Sequence, residues 1–263
     1  MASPVLVAKD YKPEVPSDWC PGCGDFGVLT ALFQACADLQ IQPHDLLVVS
    51  GIGCSSNLPG FIRSYGVHSI HGRALPFATG SKLANGAMTV VVTGGDGDGY
   101  GIGLNHFIQA MRRNINVTYI VMNNEIYGLT TGQVSPTSEP GMKTKTTPLG
   151  NLEGMLNPLA LALASGCGYI ARGFSGQPKH LVQLSTRTEF NIQVLHLSTC
   201  SARASLSINT IVIRGSASGS INLRKRITRS VTSTRPWIRP SSGATGFRLA
   251  SSTVTRNRRH RLM

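Results

Sequence analysis

The sequence predicts an α/β fold with a doubly wound parallel sheet, followed by a disordered or irregular basic tail. Two short apolar runs, residues 88–93 and 117–122, are separated by a stretch of helical period. Continuous apolar runs of this length indicate strands buried on both faces, and helices between them favour right-handed crossovers. The third observation is the composition after about residue 184, where Ser, Thr and Arg dominate and acidic residues almost vanish.

Each element is predicted from its apolar period and its flanking residues. In chain order we expect a helix over 26–39, strands over 46–50 and 90–93, a helix over 104–113, a strand over 117–122, and helices over 159–164 and from 178 onward. Asp25 is a candidate N-cap of the first helix. Ligands of such sheets bind beyond the carboxyl ends of the strands. The segments that fall there are 51–55, 94–98 and 123–129.

The formal charge of +13 is confined to the last third of the 263-residue chain. Residues 1–185 carry 11 Lys and Arg against 11 Asp and Glu, whereas residues 186–263 carry 14 basic residues against one acid, Glu189. A basic excess suggests nucleic-acid binding. The tail's Trp237 and two Phe residues are scattered rather than interleaved with the charges, so we expect no nucleic-acid partner.

Two interpretations of residues 185–263 remain open beside a globular domain over 1–184. One is a genuine basic tail. The other, which we favour, is that the gene is shifted in frame near Leu184, so that the residues beyond it are not a selected sequence. In both cases we expect an irregular chain, because the tail lacks acidic partners and its like charges repel one another.

The N-terminal residues 1–10 are followed by no apolar segment of a secretory signal, and no apolar run approaches the roughly 20 residues of a membrane-spanning helix. The sequence therefore predicts a cytoplasmic protein with no membrane partner. In that reducing compartment, six cysteines favour metal ligands or buried thiols over disulfides.

Polar residues follow the two central predicted strands where each strand ends. Asp96 lies in the motif Gly95–Asp98, after one apolar run, and Asn124 follows the other. Neighbouring parallel strands end at the same edge of a sheet, so we expect Asp96 and Asn124 to lie close together. Carboxylate and amide oxygens suit a hard cation, and the glycines allow a phosphate-bearing cofactor to approach the backbone.

Three cysteines lie in turns where a metal could bind. Cys20 and Cys23 stand two residues apart in a Gly/Pro turn, and Cys54 lies in the glycine loop after the first strand. A CxxC pair alone does not distinguish zinc, iron–sulfur and redox sites, and an iron–sulfur cluster normally needs four thiolates. The remaining cysteines are assigned no cluster role: Cys36 in a helix, Cys167 between glycines and Cys200 in the tail.

Other polar residues near these segments are less decisive. His71, in the turn 71–73, could be a site residue or an ordinary surface or core histidine. Asp98 could support the site or cap a helix. Lys143 and Lys145 are typical of a solvated loop.

The motifs 19–24, 51–55, 71–73, 94–98 and 123–130 together resemble the β subunit of 2-oxoacid:ferredoxin oxidoreductases. The segment 132–138 is most similar to the 2-oxoglutarate branch. The resemblance covers roughly residues 10–184 and implies a thiamine-diphosphate-binding fold. The chain departs from the family at Thr131, where many relatives carry a substrate-contacting Lys, and in its C-terminal third.

The resemblance implies a role for individual residues. The implied magnesium ligands are Asp96, Asn124 and the carbonyl of Ile126. The implied contacts of thiamine diphosphate are Ile52, Gly53, Cys54, Ser55, His71, Gly97, Asp98, Gly128 and Leu129. Three of the four ligands of a [4Fe–4S] cluster are implied at Cys20, Cys23 and Cys54. No catalytic residue is assigned.

The implied activity is the coenzyme A-dependent oxidative decarboxylation of a 2-oxo acid, 2-oxoglutarate in the first place, with electrons passing through the cluster to ferredoxin. The family's α subunit supplies the carboxylate that activates the cofactor, so we expect a hetero-oligomer. The alternative is a thiamine-diphosphate-dependent decarboxylase or synthase without a cluster.

Overall fold

The computed structural model describes residues 5–186, 194–195 and 209–214. The strands of these residues are β1 (Leu46–Ser50), β2 (Tyr65–His68), β3 (Thr89–Gly95), β4 (Thr118–Asn123), β5 (Ile126–Tyr127), β6 (Gln133–Val134), β7 (Tyr169–Phe174), β8 (Val194–Leu195) and β9 (Asn209–Arg214). The helices are α1 (Asp25–Asp38), α2 (Ala74–Ala84), α3 (Leu104–Arg113), α4 (Pro158–Ala164) and α5 (Pro178–Thr186). In this part of the chain no helix has the length and apolarity needed to cross a bilayer.

The main sheet has the strand order β2-β1-β3-β4-β9-β7. The first four strands are parallel, with Val48 opposite both Gly66 and Val91. This confirms the predicted parallel sheet of an α/β fold. Beyond β4 the sheet is mixed, because β9 runs antiparallel to both β4 and β7. The short strand β8 also pairs with β9, and β5 and β6 form a separate two-stranded hairpin.

Both faces of the parallel strands are buried, which explains their continuous apolar sequences. On one face Leu46, Val48 and Ile120 pack with α1 and α5, and on the other face Val90 and Val121 pack with α2, α3 and α4. Helices therefore cover the sheet on both sides. This arrangement leaves the carboxyl ends of β1, β3 and β4 as one common edge.

Most predicted elements agree with the structure to within two residues, and two agree at both ends: the strand over 46–50 and the helix over 104–113. The proposed N-cap role of Asp25 is wrong. Asp25 is the first helical residue, and its carboxyl group instead accepts a hydrogen bond from Ser55 Oγ at 3.0 Å. The elements that the sequence analysis missed are β2, α2, β7 and the hairpin, together with β8 and β9 of the predicted tail.

Within the predicted tail, the structure describes two segments, and both are strands rather than irregular chain. Residues 209–214 include four consecutive β-branched residues, 210–213, a composition typical of strands, and they pair along six residues of β4. The other tail residues, 187–193, 196–208 and 215–263, lie outside the described part, and the prediction of disorder there stays a prediction.

Candidate functional site

A cleft lies at the carboxyl edge of β1, β3 and β4. It is lined by the loops that follow β1, β2 and β3 and by residues of the segment 124–130 after β4. Every residue that the sequence analysis proposed as a thiamine-diphosphate contact or magnesium ligand lines this cleft. The sequence analysis had not singled out the further lining residues Gly95, Tyr127 and Thr130.

Asp96 is a buried carboxylic acid, only 1% exposed, immediately after β3. Burial raises the pKa of Asp96, while hydrogen bonds from Ser135, Thr137 and backbone N–H groups lower it. Among the described residues no basic side chain forms an ion pair with Asp96. A cation bound beside Asp96 would stabilise its charged form.

Asn124 and Ile126 bring further oxygen atoms to the same cleft. The Asn124 Oδ1 atom accepts the Ile126 N–H at 3.2 Å, and this tight turn includes Glu125 in a left-handed conformation with φ of 56°. A carboxylate, an amide oxygen and a backbone carbonyl form an all-oxygen set, which is the chemistry that Mg²⁺ prefers.

Two glycines of the cleft occupy positions that disfavour a side chain. Gly53 has a φ of 129°, which disfavours any other residue. A Cβ atom on Gly97 would lie 2.2 Å from the Tyr127 ring, whose hydroxyl donates to the Gly97 carbonyl at 3.0 Å. Tyr127 therefore packs directly on the GDG motif. The signal that could have identified Tyr127 is its place between Ile126 and Gly128, which were both proposed.

Asp98 joins the loops of the cleft. Its Oδ1 atom accepts the Ile52 N–H at 3.0 Å and the Gly72 N–H at 2.7 Å, and it lies 3.1 Å from His71 Nδ1. Burial raises the pKa of Asp98, and the backbone donors and His71 oppose that rise. Of the two roles considered for Asp98, these contacts favour support of the site. The carboxylate lies within a short π-helical turn over Gly97–Ile102.

The three proposed cluster cysteines lie on two loops held together by Trp19. The Trp19 indole Nε1 donates to the Cys54 carbonyl at 2.6 Å, and its ring packs edge-on against Phe26 and Phe61. The negative charges of Asp25 and Cys20 contribute to the raised pKa of Cys54, after its burial. Among the described residues, however, no three His, Cys, Asp or Glu side chains are arranged as a metal site.

Asp25 links the cysteine turn to the cleft. Its carboxyl group accepts hydrogen bonds from Ser55 and from the Cys23 thiol, while burial raises its pKa to about 6. Ser55 lines the cleft, so one buried acid contacts both the loop 51–55 and the cysteine turn. The sequence analysis had proposed only a capping role for Asp25.

Cys36 and Cys167 are each 2% exposed, as expected for buried thiols. Lys143 is exposed in the loop between β6 and α4, and so is Lys145, as expected for a solvated loop. Neither lysine lines the cleft.

Comparison with known proteins was made at three levels. Residues 51–187 match the model of the family described as thiamine pyrophosphate enzyme, C-terminal TPP binding domain. The chain is 54% identical over 174 residues to the β subunit of 2-oxoacid:ferredoxin oxidoreductase 1 from Aeropyrum pernix, covering 66% of this chain and 55% of that protein. It is 46% identical over 176 residues to the 2-oxoglutarate oxidoreductase subunit KorB of Mycobacterium tuberculosis, covering 67% and 47%.

A solved structure is also similar. It is a 2-oxoglutarate:ferredoxin oxidoreductase from Magnetococcus marinus with 2-oxoglutarate, coenzyme A and succinyl-CoA bound. The TM-score is 0.66 at 46% identity, and the match covers 69% of this chain and 62% of that chain. The chain spans about half the length of the two curated relatives.

The burial of the cysteines predicts an order of thiol reactivity. Burial raises the pKa of Cys36 and of Cys167 to about 12, so at pH 8 almost no reactive thiolate exists at either position. In the metal-free native protein, we expect iodoacetamide to modify the exposed Cys20 while Cys36 and Cys167 stay unmodified. Peptide mass spectrometry reads the result. In denaturant all these cysteines should react, and native labelling of Cys36 would contradict the burial.

Proposed function

Because the chain belongs to the thiamine pyrophosphate enzymes, through the C-terminal TPP-binding domain matched by residues 51–187, we propose that its cleft binds thiamine diphosphate and Mg²⁺. Relatives at 46–54% identity are named as β subunits of 2-oxoacid:ferredoxin oxidoreductases, and others at 43–47% identity as KorB subunits of 2-oxoglutarate oxidoreductase or 2-oxoglutarate synthase. We propose the same role for this chain, in a complex with an α subunit. The activity of the whole enzyme is part of this proposal.

The observation that carries the proposal is the meeting of Asp96, Asn124 and Ile126 in one cleft. Asp96 is buried without an ion-pair partner in the described chain, and its two neighbours in the cleft offer neutral oxygen atoms. This all-oxygen set fits a magnesium ion. The three residues would hold the cation through the Asp96 carboxylate, the Asn124 amide oxygen and the Ile126 carbonyl.

The loops around the cation have separate tasks. The loop 51–55 and the residues Gly97 and Gly128 would hold the diphosphate through backbone groups, while Asp98 keeps Ile52 and His71 in place. When bound, thiamine diphosphate supplies a carbon nucleophile for the 2-oxo carbon and an acceptor for the electron pair that stays behind when CO2 leaves. Ile52 and Leu129 stay 41% and 56% exposed in this chain. An α subunit that covers them would exclude water from the site.

The substrate that we propose is 2-oxoglutarate, with coenzyme A as the acyl acceptor. Two observations on relatives support it: several are named as 2-oxoglutarate oxidoreductase or 2-oxoglutarate synthase subunits, and the similar solved enzyme binds 2-oxoglutarate and coenzyme A.

We propose that Cys20, Cys23 and Cys54 hold a [4Fe–4S] cluster that passes electrons to ferredoxin. The contact of Trp19 with Cys54 and the link of Asp25 to both loops support a shared site. Among the described residues the three thiols are not arranged as a ligand set, and the fourth ligand is unassigned. The alternative is a thiamine-diphosphate enzyme without a cluster, in which these cysteines are only structural.

The residues after about 184 are proposed to be read in a shifted frame. The family match ends at residue 187, and the charge balance changes at nearly the same point. The strand β9 lies beyond this boundary, so the chain as written contains a sheet-forming segment after it.

The magnesium proposal predicts the effect of Asp96→Ala. The change removes the one anionic ligand of the proposed set, so Mg²⁺-dependent binding of thiamine diphosphate should be lost. Calorimetry on the purified complex measures the dissociation constant. Asp45→Ala, at an exposed acid far along the chain from the motif, is the matched control and should bind normally. Unchanged affinity in Asp96→Ala would refute the assignment.

The cluster proposal predicts that Cys20→Ser, Cys23→Ser and Cys54→Ser each bleach the visible absorbance near 400 nm of the anaerobically purified complex. Electron delivery to ferredoxin should fail while decarboxylation partly survives. Cys36→Ala, at a buried cysteine outside the proposed ligand set, should keep the absorbance. Elemental analysis tests whether the cysteines hold an iron–sulfur cluster, because zinc in place of iron would exclude it.

The frame proposal predicts that the gene carries an insertion or deletion near codon 184. A version with the frame restored should load more iron and reduce a viologen dye faster with 2-oxoglutarate than the chain as written, because a [4Fe–4S] cluster normally needs four thiolates and we propose that the restored segment supplies the fourth. Both versions are expressed anaerobically with the α partner. Equal iron content and activity would show that the tail is genuine.

A further inference from the structure

Three hydroxyl side chains are buried behind the cleft, and the proposed function leaves them without a role. They belong to the short segment after the hairpin, where Ser135 is 4% exposed and Thr137 and Ser138 are 1% exposed each. A buried hydroxyl is costly unless it is hydrogen-bonded. Their partners therefore indicate what the segment does.

Thr137 reaches the ends of two parallel strands. Its Oγ1 atom lies 2.6 Å from Asp96 Oδ2, just after β3, and 2.6 Å from Asn123 Oδ1, the last residue of β4. A hydroxyl has one hydrogen to donate, and an ionised carboxylate is a stronger acceptor than an amide oxygen. When Asp96 is charged, the Thr137 hydrogen therefore belongs to Asp96.

The backbone around Thr137 is held from several directions. The Ser138 hydroxyl accepts the Ser135 N–H at 2.7 Å and donates to the Glu125 carbonyl. The Asn151 side chain donates to the Ser138 carbonyl at 3.3 Å, and the Leu156 N–H donates to the Pro136 carbonyl at 2.8 Å. Because these hydrogen bonds hold the residues on both sides of Thr137, the position of its hydroxyl group is fixed.

We propose that Thr137 is a positioning residue for the cation, through its hydrogen bond to Oδ2 of Asp96. This inference rests on the proposed function, since it concerns the same magnesium site. The bond holds the Asp96 carboxyl plane in one orientation, with Oδ1 as the oxygen that binds the cation. Ser135 and the backbone N–H groups of Asp96 and Asn124 also hydrogen-bond to this carboxylate, and Thr137 adds a donor whose own segment is held by several hydrogen bonds.

The test compares variants that differ at one hydroxyl. Thr137→Val keeps the shape of the side chain and removes the donor, whereas Thr137→Ser keeps the donor. Mg²⁺ affinity is measured by calorimetry at saturating thiamine diphosphate on the full chain with its α partner, and Mn²⁺ electron paramagnetic resonance counts the bound metal directly. Neither readout depends on catalytic activity.

We expect Thr137→Val to weaken Mg²⁺ binding by roughly 10-fold or more, as is typical when a hydrogen bond behind a metal ligand is lost. Thr137→Ser should stay within about threefold of wild type, on the same reasoning. The matched control is Thr30→Val, the same change at an exposed position of α1, and its affinity should not change. If Thr137→Val fails to fold, Thr137→Ala carries the same expectation without a crowding methyl group.

Two results would overturn the inference, and they are distinguishable. If Thr137→Val binds Mg²⁺ like wild type while Asp96→Ala does not, the site exists but Thr137 does not position it. If both variants bind Mg²⁺ like wild type, the magnesium site itself is wrong and the inference falls with it. A metal-free melting temperature equal to that of wild type shows that a loss of affinity in Thr137→Val is not a loss of fold.

Discussion

The Asp98 carboxylate accepts backbone hydrogen bonds from two different loops, and the shape of the cleft depends on this one group. Ile52 follows β1 and Gly72 follows β2, yet both donate to the same oxygen atom. A Cβ atom on Gly51 would lie 2.0 Å from this carboxylate, so the loop after β1 is in direct backbone contact with it. A buried charge is costly, and these donors compensate that cost. The loops after β1, β2 and β3 are thereby fixed as one unit.

The two acids of the GDGD motif are consequently different in kind, although they stand two residues apart. Asp98 has its oxygen Oδ1 engaged by protein N–H groups and His71. Asp96 receives hydroxyl and N–H donors but no cationic partner within the described chain. Asp98 thus holds the loops of the cleft together, and Asp96 is available to a cation. Thr137 donates its hydroxyl hydrogen to Oδ2 of Asp96, so a neutral side chain orients the acid that is available to a cation.

The sequence was sufficient for the elements that carry a clear apolar period. The strand 46–50 and the helix 104–113 agreed at both ends, because an apolar run or an amphipathic period sets them off from polar flanks. β2 was missed since its residues Tyr65, Gly66, Val67 and His68 are largely exposed at the sheet edge and lack such a run. β9 was missed because its strand pattern lies within a strongly basic segment.

The candidate site was predictable where a motif marks it and obscure where only tertiary contact creates it. Asp96 and Asn124 could be paired from the rule that parallel strands end at one edge. Nothing in the local sequence shows that Thr137, 41 residues from Asp96, touches its carboxylate. Asp25 was misread for the same reason, because a helix start favours a cap while the actual partner, Ser55, is 30 residues away.

The position of β9 has a consequence for how the chain can be cut. β9 pairs with all six residues of β4 on one side and with β7 on the other. A chain that ended after α5 would leave one edge of β4 with unpaired backbone groups, next to the apolar side chains of Ile120 and Val121. Such an edge is a template for strands of other molecules. Shortening the protein to the part that matches its family would therefore expose an unpaired strand edge and make the protein prone to aggregation.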